Sequence, residues 1–547
     1  MTLDPHAGQV APIENLVNLA ALEHAYYADH PDPDDASERV TFGTSGHRGS
    51  SLRRSFNDDH IAAIASAICD YRQQSGIAGP LFLGMDTHAL SVPALITATE
   101  ILAARGVHLM VAPEGSYTPT PAVSRAILVH NRTAAAQSDG IVVTPSHNPP
   151  EDGGFKYDPP HGGPAESTVT AWIERRANEL LRARGVQSLP RISVENARQR
   201  GLIETYDFLT RYVNDLQLAI DFAAIAQRKA RIGVNPMGGA SIEYWSRIGD
   251  QYDIELSVVN SAVDKTFSFI PRDHDGKIRT DCSSPYAMAT LLRERNQFDI
   301  AVANDADADR HGIVTPASGL LPPNHYLSVA VDYLFRHRSR WSKQLRVGKT
   351  AVTSNMVNRV ARALGRELYE VPVGFKWFVA GLHSATLGFG GEESAGASFL
   401  ARDGSTWTTD KDGMLLALLA AEILSVTGHD PGERYKALER SLGNSFYTRR
   451  DGAAPVHVRE RLLRASPEDW SGETLAGDAV VSRQTHADSG GDLGGLKVAT
   501  DHGWFAIRPS GTEDIYKLYA ESFRSEDHLE RIVAEATERV TAIIAGV

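Results

Sequence analysis

The sequence predicts an α/β protein of three successive αβ units, closed by a smaller C-terminal α+β unit. Three observations support this. The chain has 547 residues, beyond the size at which one core stops growing, so about three to five domains are expected. Strand-like and helix-like segments alternate through most of its length, as in α/β layers. The C-terminal part breaks that alternation. WFAIRPSGTEDIYKLYAES reads as two strands around a turn, and Leu529, Ile532, Val533, Ala536, Val540 and Ile543 then fall on one helical face.

The elements follow in order. Asn57 can cap a helix whose apolar positions Ile61, Ile64, Ile68 and Tyr71 recur at helical spacing. LFLGMD and GVHLMVA read as strands flanking a helix. DGIVVTPSHNP is an unbroken apolar run ending in a polar loop, the way a strand buried on both faces delivers functional groups at its carboxyl end. RIGVNPMGG and FDIAVANDADADR repeat that pattern, and VGKTAVTSN with GFGGEESA repeats it again. The Pro/Gly-rich stretch from Asp158 to Pro164 is expected as a loop inside the first unit. Boundaries are expected near residues 205, 320 and 440, giving units 1–205, 206–320, 321–440 and 441–547.

Composition narrows the function. The chain is 42% hydrophobic and 22% charged, enough apolar side chain for several cores. A net charge of −13 argues against a broad basic face for nucleic acid, yet leaves room for a local basic pocket that takes a phosphorylated small molecule. Cys69 and Cys282 are too few for a Cys-rich zinc site or a disulfide framework, and two buried apolar thiols are expected. The opening MTLDPHAGQVAP lacks the charged and apolar regions of a secretory signal. The longest apolar stretch, Met414 to Val426, carries Glu422 and falls short of the roughly 20 residues that span a bilayer. It reads as a buried core helix, and a cytoplasmic protein without a membrane partner is expected.

Several loops could carry chemistry. In TPSHNP, Ser146 sits between prolines that restrict the backbone and is followed by His147. A serine alone is a weak nucleophile and needs a base or a metal; an ordinary polar turn is the alternative. Asp305, Asp307 and Asp309 follow the strand FDIAVAN. Alternate residues on an extended segment point the same way, and three converging carboxylates call for a hard divalent cation. A calcium EF-hand is excluded, because its glycine and glutamate positions hold Arg310 and Pro316. GGEESAG offers Glu392, Glu393 and Ser394 to sugar hydroxyls. Adjacent carboxylates do not flank one glycosidic bond, so glycoside hydrolysis is disfavoured. RPSGTE combines Arg508, Ser510, Gly511 and Thr512 into an anion nest for phosphate, or into a plain Ser-Gly turn. FGTSGHRG brings His47 and Arg48 but is neither a P-loop nor a Rossmann turn. Lys156 lies in GGFK and Lys411 in KDG; taken singly, each reads as a surface charge.

Together these loops resemble the α-phosphohexomutase family, most closely its glucose-phosphate branch. FGTSGHRG, TPSHNP with GGFK, DADADR, GGEESAG, KDG and RPSGTE occur in family order over nearly the whole chain. The one departure is Pro145, where the family often has alanine. The resemblance implies three similar αβ domains with mixed sheets and a smaller fourth domain around one central cleft. It implies a phosphoserine at Ser146 and one Mg²⁺ held by Asp305, Asp307 and Asp309, with the serine phosphate completing the site. Arg48, His147 and Lys156 match polar groups beside the serine, and Glu392 and Ser394 match the readers of sugar hydroxyls. Arg508, Ser510, Gly511 and Thr512 match the grip on the substrate's non-reacting phosphate, with Arg310 and Lys411 as further contacts. The implied reaction exchanges a phosphoryl group between C1 and C6 of glucose through glucose 1,6-bisphosphate. Lys156 is the favoured proton acceptor, with His147 close behind, since an arginine rarely gives up its proton. A phosphatase-type hydrolase, a mannose or glucosamine mutase and a non-catalytic phosphosugar binder are the competing readings. A homodimer is the assembly expected from base rates.

Overall fold

The computed structural model describes residues 3–43, 45–183, 186–510 and 515–545. Its first three sheets share one strand order. In the first unit, Gly153–Asp158, Asp139–Val143, Leu81–Met85 and Leu109–Val111 lie side by side, extended by His47–Gly49 at one edge and Ile203–Thr205 at the other. In the second the order is His311–Thr315, Ile300–Asn304, Ile232–Asn235 and Leu256–Val258, with Gly319–Leu320 at the edge. In the third it is Ala397–Phe399, Leu387–Gly391, Arg346–Thr350 and Leu368–Val371. In each case three strands run parallel and the strand that follows them in sequence turns back antiparallel. The sheets are therefore mixed, and each places one loop where its strand direction reverses.

Helices cover these sheets for the reasons the sequence suggests. Asn57 is the N-cap of Asp58–Ser75, its N–H donating to His60 Nδ1 at 3.1 Å, and Ile61, Ile64 and Ile68 are buried. The helix ends at Gly76, whose φ of 69° suits glycine. The apolar stretch forms Gly413–Thr427, buried against Ile300–Asn304, His311–Thr315 and Ala397–Phe399, and so joins the second unit to the third. Its Glu422 is paired with Arg338 at 2.5 Å and accepts from Tyr333 at 2.8 Å. Among the described residues no single helix is long and apolar enough to cross a membrane. Cys69 and Cys282 are buried free thiols.

The fourth unit is an antiparallel sheet in the order Phe446–Ala453, Ile515–Ser522, Gly503–Pro509, Asp492–Thr500, Asp478–His486 and Thr474–Leu475. Leu529, Ile532, Ala536 and Val540 of Glu526–Ala545 are buried against it, whereas the side chain of Ile543 lies outside the described residues. The unit docks on the third through Glu521, which is held by Trp504 Nε1 of its own sheet and accepts from Asn355 N–H at 2.7 Å, and through Lys497 to Glu370 at 2.7 Å.

The residues preceding FGTSGHRG also have a place. Gly8 N–H donates to Arg272 O at 2.8 Å and Arg272 N–H to Gln9 O at 2.9 Å, and Ala11 enters the core formed by Phe267, Ile270 and Ile278. The chain then crosses to the first unit, where Leu22 and Tyr26 of Leu19–Ala28 are buried. It is a strap between two units.

Candidate active site

Three of the reversal loops meet. Residues 144–152 follow Asp139–Val143, residues 305–310 follow Ile300–Asn304, and residues 392–396 follow Leu387–Gly391. Ser146 is buried, and its Oγ donates to Asp305 Oδ2 at 2.8 Å. His147 Nδ1 lies 3.4 Å from the same hydroxyl. Prolines are only part of what fixes this loop. Ser146 has φ 61°, a left-handed conformation that costs a non-glycine residue free energy and must be held from outside. Its N–H donates to Thr144 Oγ1 at 2.8 Å.

The three aspartates do converge, with ligand oxygens within 4.8 Å of one another and all three side chains buried. The device is not strand alternation. The segment leaves the strand and turns, with Ala308 at φ 55°. Gly413 packs so closely beneath that a Cβ there would meet Arg310 O at 2.0 Å. Among the described residues Asp307 Oδ1 and Asp309 Oδ1 are buried and accept no hydrogen bond. Two orphaned carboxylate oxygens beside a third carboxylate fit a hard divalent cation. The other oxygens are occupied: Lys156 Nζ donates to Asp307 Oδ2 at 2.6 Å and Asp309 Oδ2 at 2.9 Å, and Lys411 Nζ stands 3.0 Å from Asp309 Oδ2.

The electrostatics follow from this crowding. Burial, reinforced by Asp307 and Asp309, pushes Asp305 well above the carboxylate range. Burial would raise Asp309 too, but Lys156 and Lys411 hold it far below. For Lys156, burial favours the neutral amine, yet Asp307 and Asp309 outweigh it and keep the ammonium protonated. Burial, then the cations Arg310 and Arg48, push His147 well below its usual value, leaving it neutral. Burial lifts Glu392 to about 7, against the pull of Lys411.

The remaining residues arrive from several elements. Arg48, on His47–Gly49, donates to Asn148 Oδ1 at 2.9 Å. Arg310 has its Nε 4.0 Å from Asp305 and 3.9 Å from Asp309, and forms a bridge with Gly396 that seats the glutamate loop beside the aspartate loop. Glu392 Oε1 accepts from Gly374 N–H at 3.1 Å, and Ser394 is half-buried in the same loop. Arg508 ends Gly503–Pro509 on the face of Trp504 and Ala506, which packs against Val352 and Val373. Tyr519, raised first by burial, is raised further by Glu393 and lowered by Arg508, so both charges act at one phenol beside the glutamate loop. Ser510 is buried at the strand end, and Gly511 and Thr512 lie outside the described residues.

Comparison with known proteins agrees with this geometry. Four family models match in order: phosphoglucomutase/phosphomannomutase alpha/beta/alpha domain I over residues 39–183, domain II over 210–319, domain III over 322–441, and the C-terminal domain over 473–539. The chain belongs to the α-D-phosphohexomutase family. This phosphohexomutase is 52% identical over 546 residues to the phosphoglucomutase of Komagataeibacter xylinus, covering 100% of this chain and 98% of that protein. It is 27% identical to phosphoglucomutase 1 of Drosophila melanogaster over 89% of this chain and 91% of that one. In fold it is similar to a crystal structure of a phosphomannomutase-like protein from Thermus thermophilus, with a TM-score of 0.72 and 24% identity over 93% of this chain and 100% of that chain. It is likewise similar to parafusin of Paramecium, with a TM-score of 0.72 and 19% identity over 95% and 97%. The family implies a metal, and the acidic triad is suited to one.

Sequence reasoning overlooked three groups around this phosphohexomutase site. Thr120, first residue of Thr120–Asn131, donates its hydroxyl to Asp307 Oδ2 at 2.6 Å and its N–H to Asp307 O at 2.9 Å. Asp158 and Asp410 are buried carboxyls at the junction of the first and third units; burial and then mutual repulsion push Asp158 well up. Asp86 and His88, just after Leu81–Met85, lie beneath the serine loop. For the last pair a signal existed, since a carboxylate at the carboxyl end of a buried parallel strand is a position for function.

Proposed function

We propose that this chain is a phosphoglucomutase, an isomerase that interconverts α-D-glucose 1-phosphate and glucose 6-phosphate through a phosphoserine at Ser146 and glucose 1,6-bisphosphate. The observation that carries the reading is the Ser146 hydroxyl 2.8 Å from Asp305, within a triad that keeps two orphaned carboxylate oxygens. The Komagataeibacter phosphoglucomutase, 52% identical over the full length, supports glucose as the sugar. Asp305, Asp307 and Asp309, with Ser146, are the residues we assign to Mg²⁺. When bound, the ion neutralises charge on the phosphoryl group in flight.

The protein's own groups do the rest. Ser146 gives and takes the phosphoryl group. Lys156 and Lys411 are poised as ammonium donors to phosphate oxygens, and Arg48 and Arg310 add fixed charge. The proton of the attacking sugar hydroxyl needs an acceptor. Lys156 can serve only once parted from Asp307 and Asp309, while His147 is already neutral beside the serine, so the geometry favours His147 over Lys156. Glu392 and Ser394 are assigned to sugar hydroxyls. Arg508, Ser510, Gly511 and Thr512 are assigned to the distal phosphate, so that either end of the bisphosphate can face Ser146. We take the four units to divide near residues 205, 320 and 440, and the enzyme to be cytoplasmic.

The test supplies Mg²⁺, a trace of glucose 1,6-bisphosphate, and either glucose 1-phosphate or mannose 1-phosphate. Fast formation of glucose 6-phosphate with slow mannose turnover is expected. Equal rates would discard the sugar assignment, and free phosphate without isomer would mean a hydrolase.

A further inference from the structure

We infer that Asp86 and His88 are positioning residues that clamp the Ser146 loop from below and set the angle at which its hydroxyl meets the phosphoryl group. The inference rests on the phosphoserine reading above.

The contacts form one closed set. Asp86 Oδ2 accepts from Thr144 Oγ1 at 2.6 Å and lies 2.7 Å from His88 Nδ1. Asp86 Oδ1 accepts from His88 N–H at 3.0 Å and Ser91 Oγ at 2.6 Å. On its other side, His88 Nε2 lies 3.0 Å from the carbonyl oxygen of Asn148. Both ring nitrogens thus face oxygens that only accept, so the ring satisfies both contacts only with two protons, as an imidazolium. Asp86, Thr87, His88, Ser91 and Thr144 are all 0% exposed, so no water competes for these bonds.

The two grips fall on either side of the nucleophile, at Thr144 and Asn148. Thr144 passes its grip on, because the hydroxyl that donates to Asp86 also accepts the N–H of Ser146 at 2.8 Å. Asn148, two residues beyond Ser146, is held a second time where its Oδ1 accepts from Arg48 at 2.9 Å. Between them Ser146 is kept at φ 61°, which no proline adjacent to it explains. A buried ion pair is a poor source of stability but a good source of a fixed geometry, since its bonds are short and directional. Neither residue touches the hydroxyl itself; they act through Thr144 and Asn148.

The experiment uses dephosphorylated full-length enzyme, Mg²⁺ and radiolabelled glucose 1,6-bisphosphate, and follows label transfer to protein by rapid quench. D86N, H88Q, T144V and T144S are compared with wild type, with melting temperatures and the KM for glucose 1-phosphate measured alongside. D86N, H88Q and T144V are expected to slow labelling on the order of tenfold to a hundredfold, as a small misplacement of a reacting atom does. Their KM should stay within about threefold of wild type. T144S keeps the bridging hydroxyl and should restore the rate. Labelling within about twofold of wild type in H88Q and T144V overturns the inference, as does a loss that T144S shares or that follows melting temperature across the set. A wild-type enzyme that takes no label would sink the phosphoserine reading instead, and the inference with it.

Discussion

Thr120→Val is the substitution whose consequence can be worked most directly. Asp307 Oδ2 receives two donors, the Thr120 hydroxyl at 2.6 Å and the Lys156 ammonium at 2.6 Å, while Oδ1 has none. Valine keeps the shape of threonine and removes one donor to a buried charged group, a loss of about 1.5–3 kcal/mol. Because Lys156 remains, the lower part of that range applies, about 1.5–2 kcal/mol. Lys156 alone then orients Oδ2, and aligning Oδ1 for a cation costs what the hydroxyl had supplied. About 1.4 kcal/mol is tenfold in affinity, which agrees with the roughly 10–100-fold loss usual when a ligand's supporting partner is removed. The expected result is a rise of about tenfold in the Mg²⁺ concentration for half-maximal activity, at saturating substrate, and a melting temperature lower by a few degrees. Activity titrated with Mg²⁺ and calorimetry with Mn²⁺ give independent readings. Thr120→Ser should stay near wild type in both. A Thr120→Val enzyme whose metal requirement lies within about twofold of wild type would refute the argument that this helix end orients Asp307.

Other substitutions follow from the same geometry. Ser146→Ala removes the nucleophile and one hydrogen bond to Asp305, so turnover should vanish while the melting curve barely moves; measurable mutase activity would contradict the assignment. Asp307→Asn should lower activity and Mg²⁺ dependence together, read from an Mg²⁺ titration. Glu392 carries a folded pKa of about 7 where an exposed glutamate has 4.5. The native state therefore holds a proton that the unfolded chain releases, and stability falls as pH rises from about 4.5 to about 7. Thermal melts across that window should show Glu392→Gln losing this slope, and an unchanged slope would mean Glu392 is not its source. Deleting residues 1–16 should expose Phe267, Ile270 and Ile278 and make the 264–284 segment protease-sensitive; resistance equal to wild type would show that the strap bears no load.

How much of this was legible depends on the range of each interaction. Asn57 and its helix, the strand leading to Ser146 and the buried run from Met414 are local patterns, and the structure has them in place. The aspartate cluster was legible for a partly mistaken reason. The spacing of Asp305, Asp307 and Asp309 suggested strand alternation, whereas a turn through Ala308 brings the oxygens together. Prolines at 145 and 149 suggest what aims Ser146, yet the loop is also gripped where Thr144 donates to Asp86 and where the Asn148 carbonyl accepts from His88. Thr120 carries no local signal, because its partner is 187 residues away and on another unit. The family resemblance makes Lys156 the favoured base over an arginine; only its two ion pairs show that it is held protonated.

The repeat itself explains why one site draws on so much chain. In each of the first three units the strand preceding the reversal is buried on both faces, so its side chains serve packing and the loop beyond it is free for chemistry. A parallel strand followed at once by an antiparallel neighbour requires a tight loop at one edge of the sheet, and such a loop can be fixed by contacts to its own hairpin. Gly154 shows how closely: a Cβ there would lie 2.1 Å from Thr144 O. Three copies of this device set side by side supply three rigid loops facing one another, and no single copy holds a complete site. The first brings a nucleophile with the cations Arg48 and Lys156, the second brings carboxylates that repel until something cationic joins them, and the third brings acceptors for hydroxyls. Lys156 from the first and Lys411 from the third both close on Asp309 of the second. The charge that makes the site unfavourable in any one unit is therefore the attraction that holds the three together. On this argument Asp309→Asn should weaken the packing of the units as well as the chemistry. Its melting transition should broaden or split while Ser146→Ala melts as one; a single sharp transition near wild type for Asp309→Asn would show that apolar packing alone joins the units.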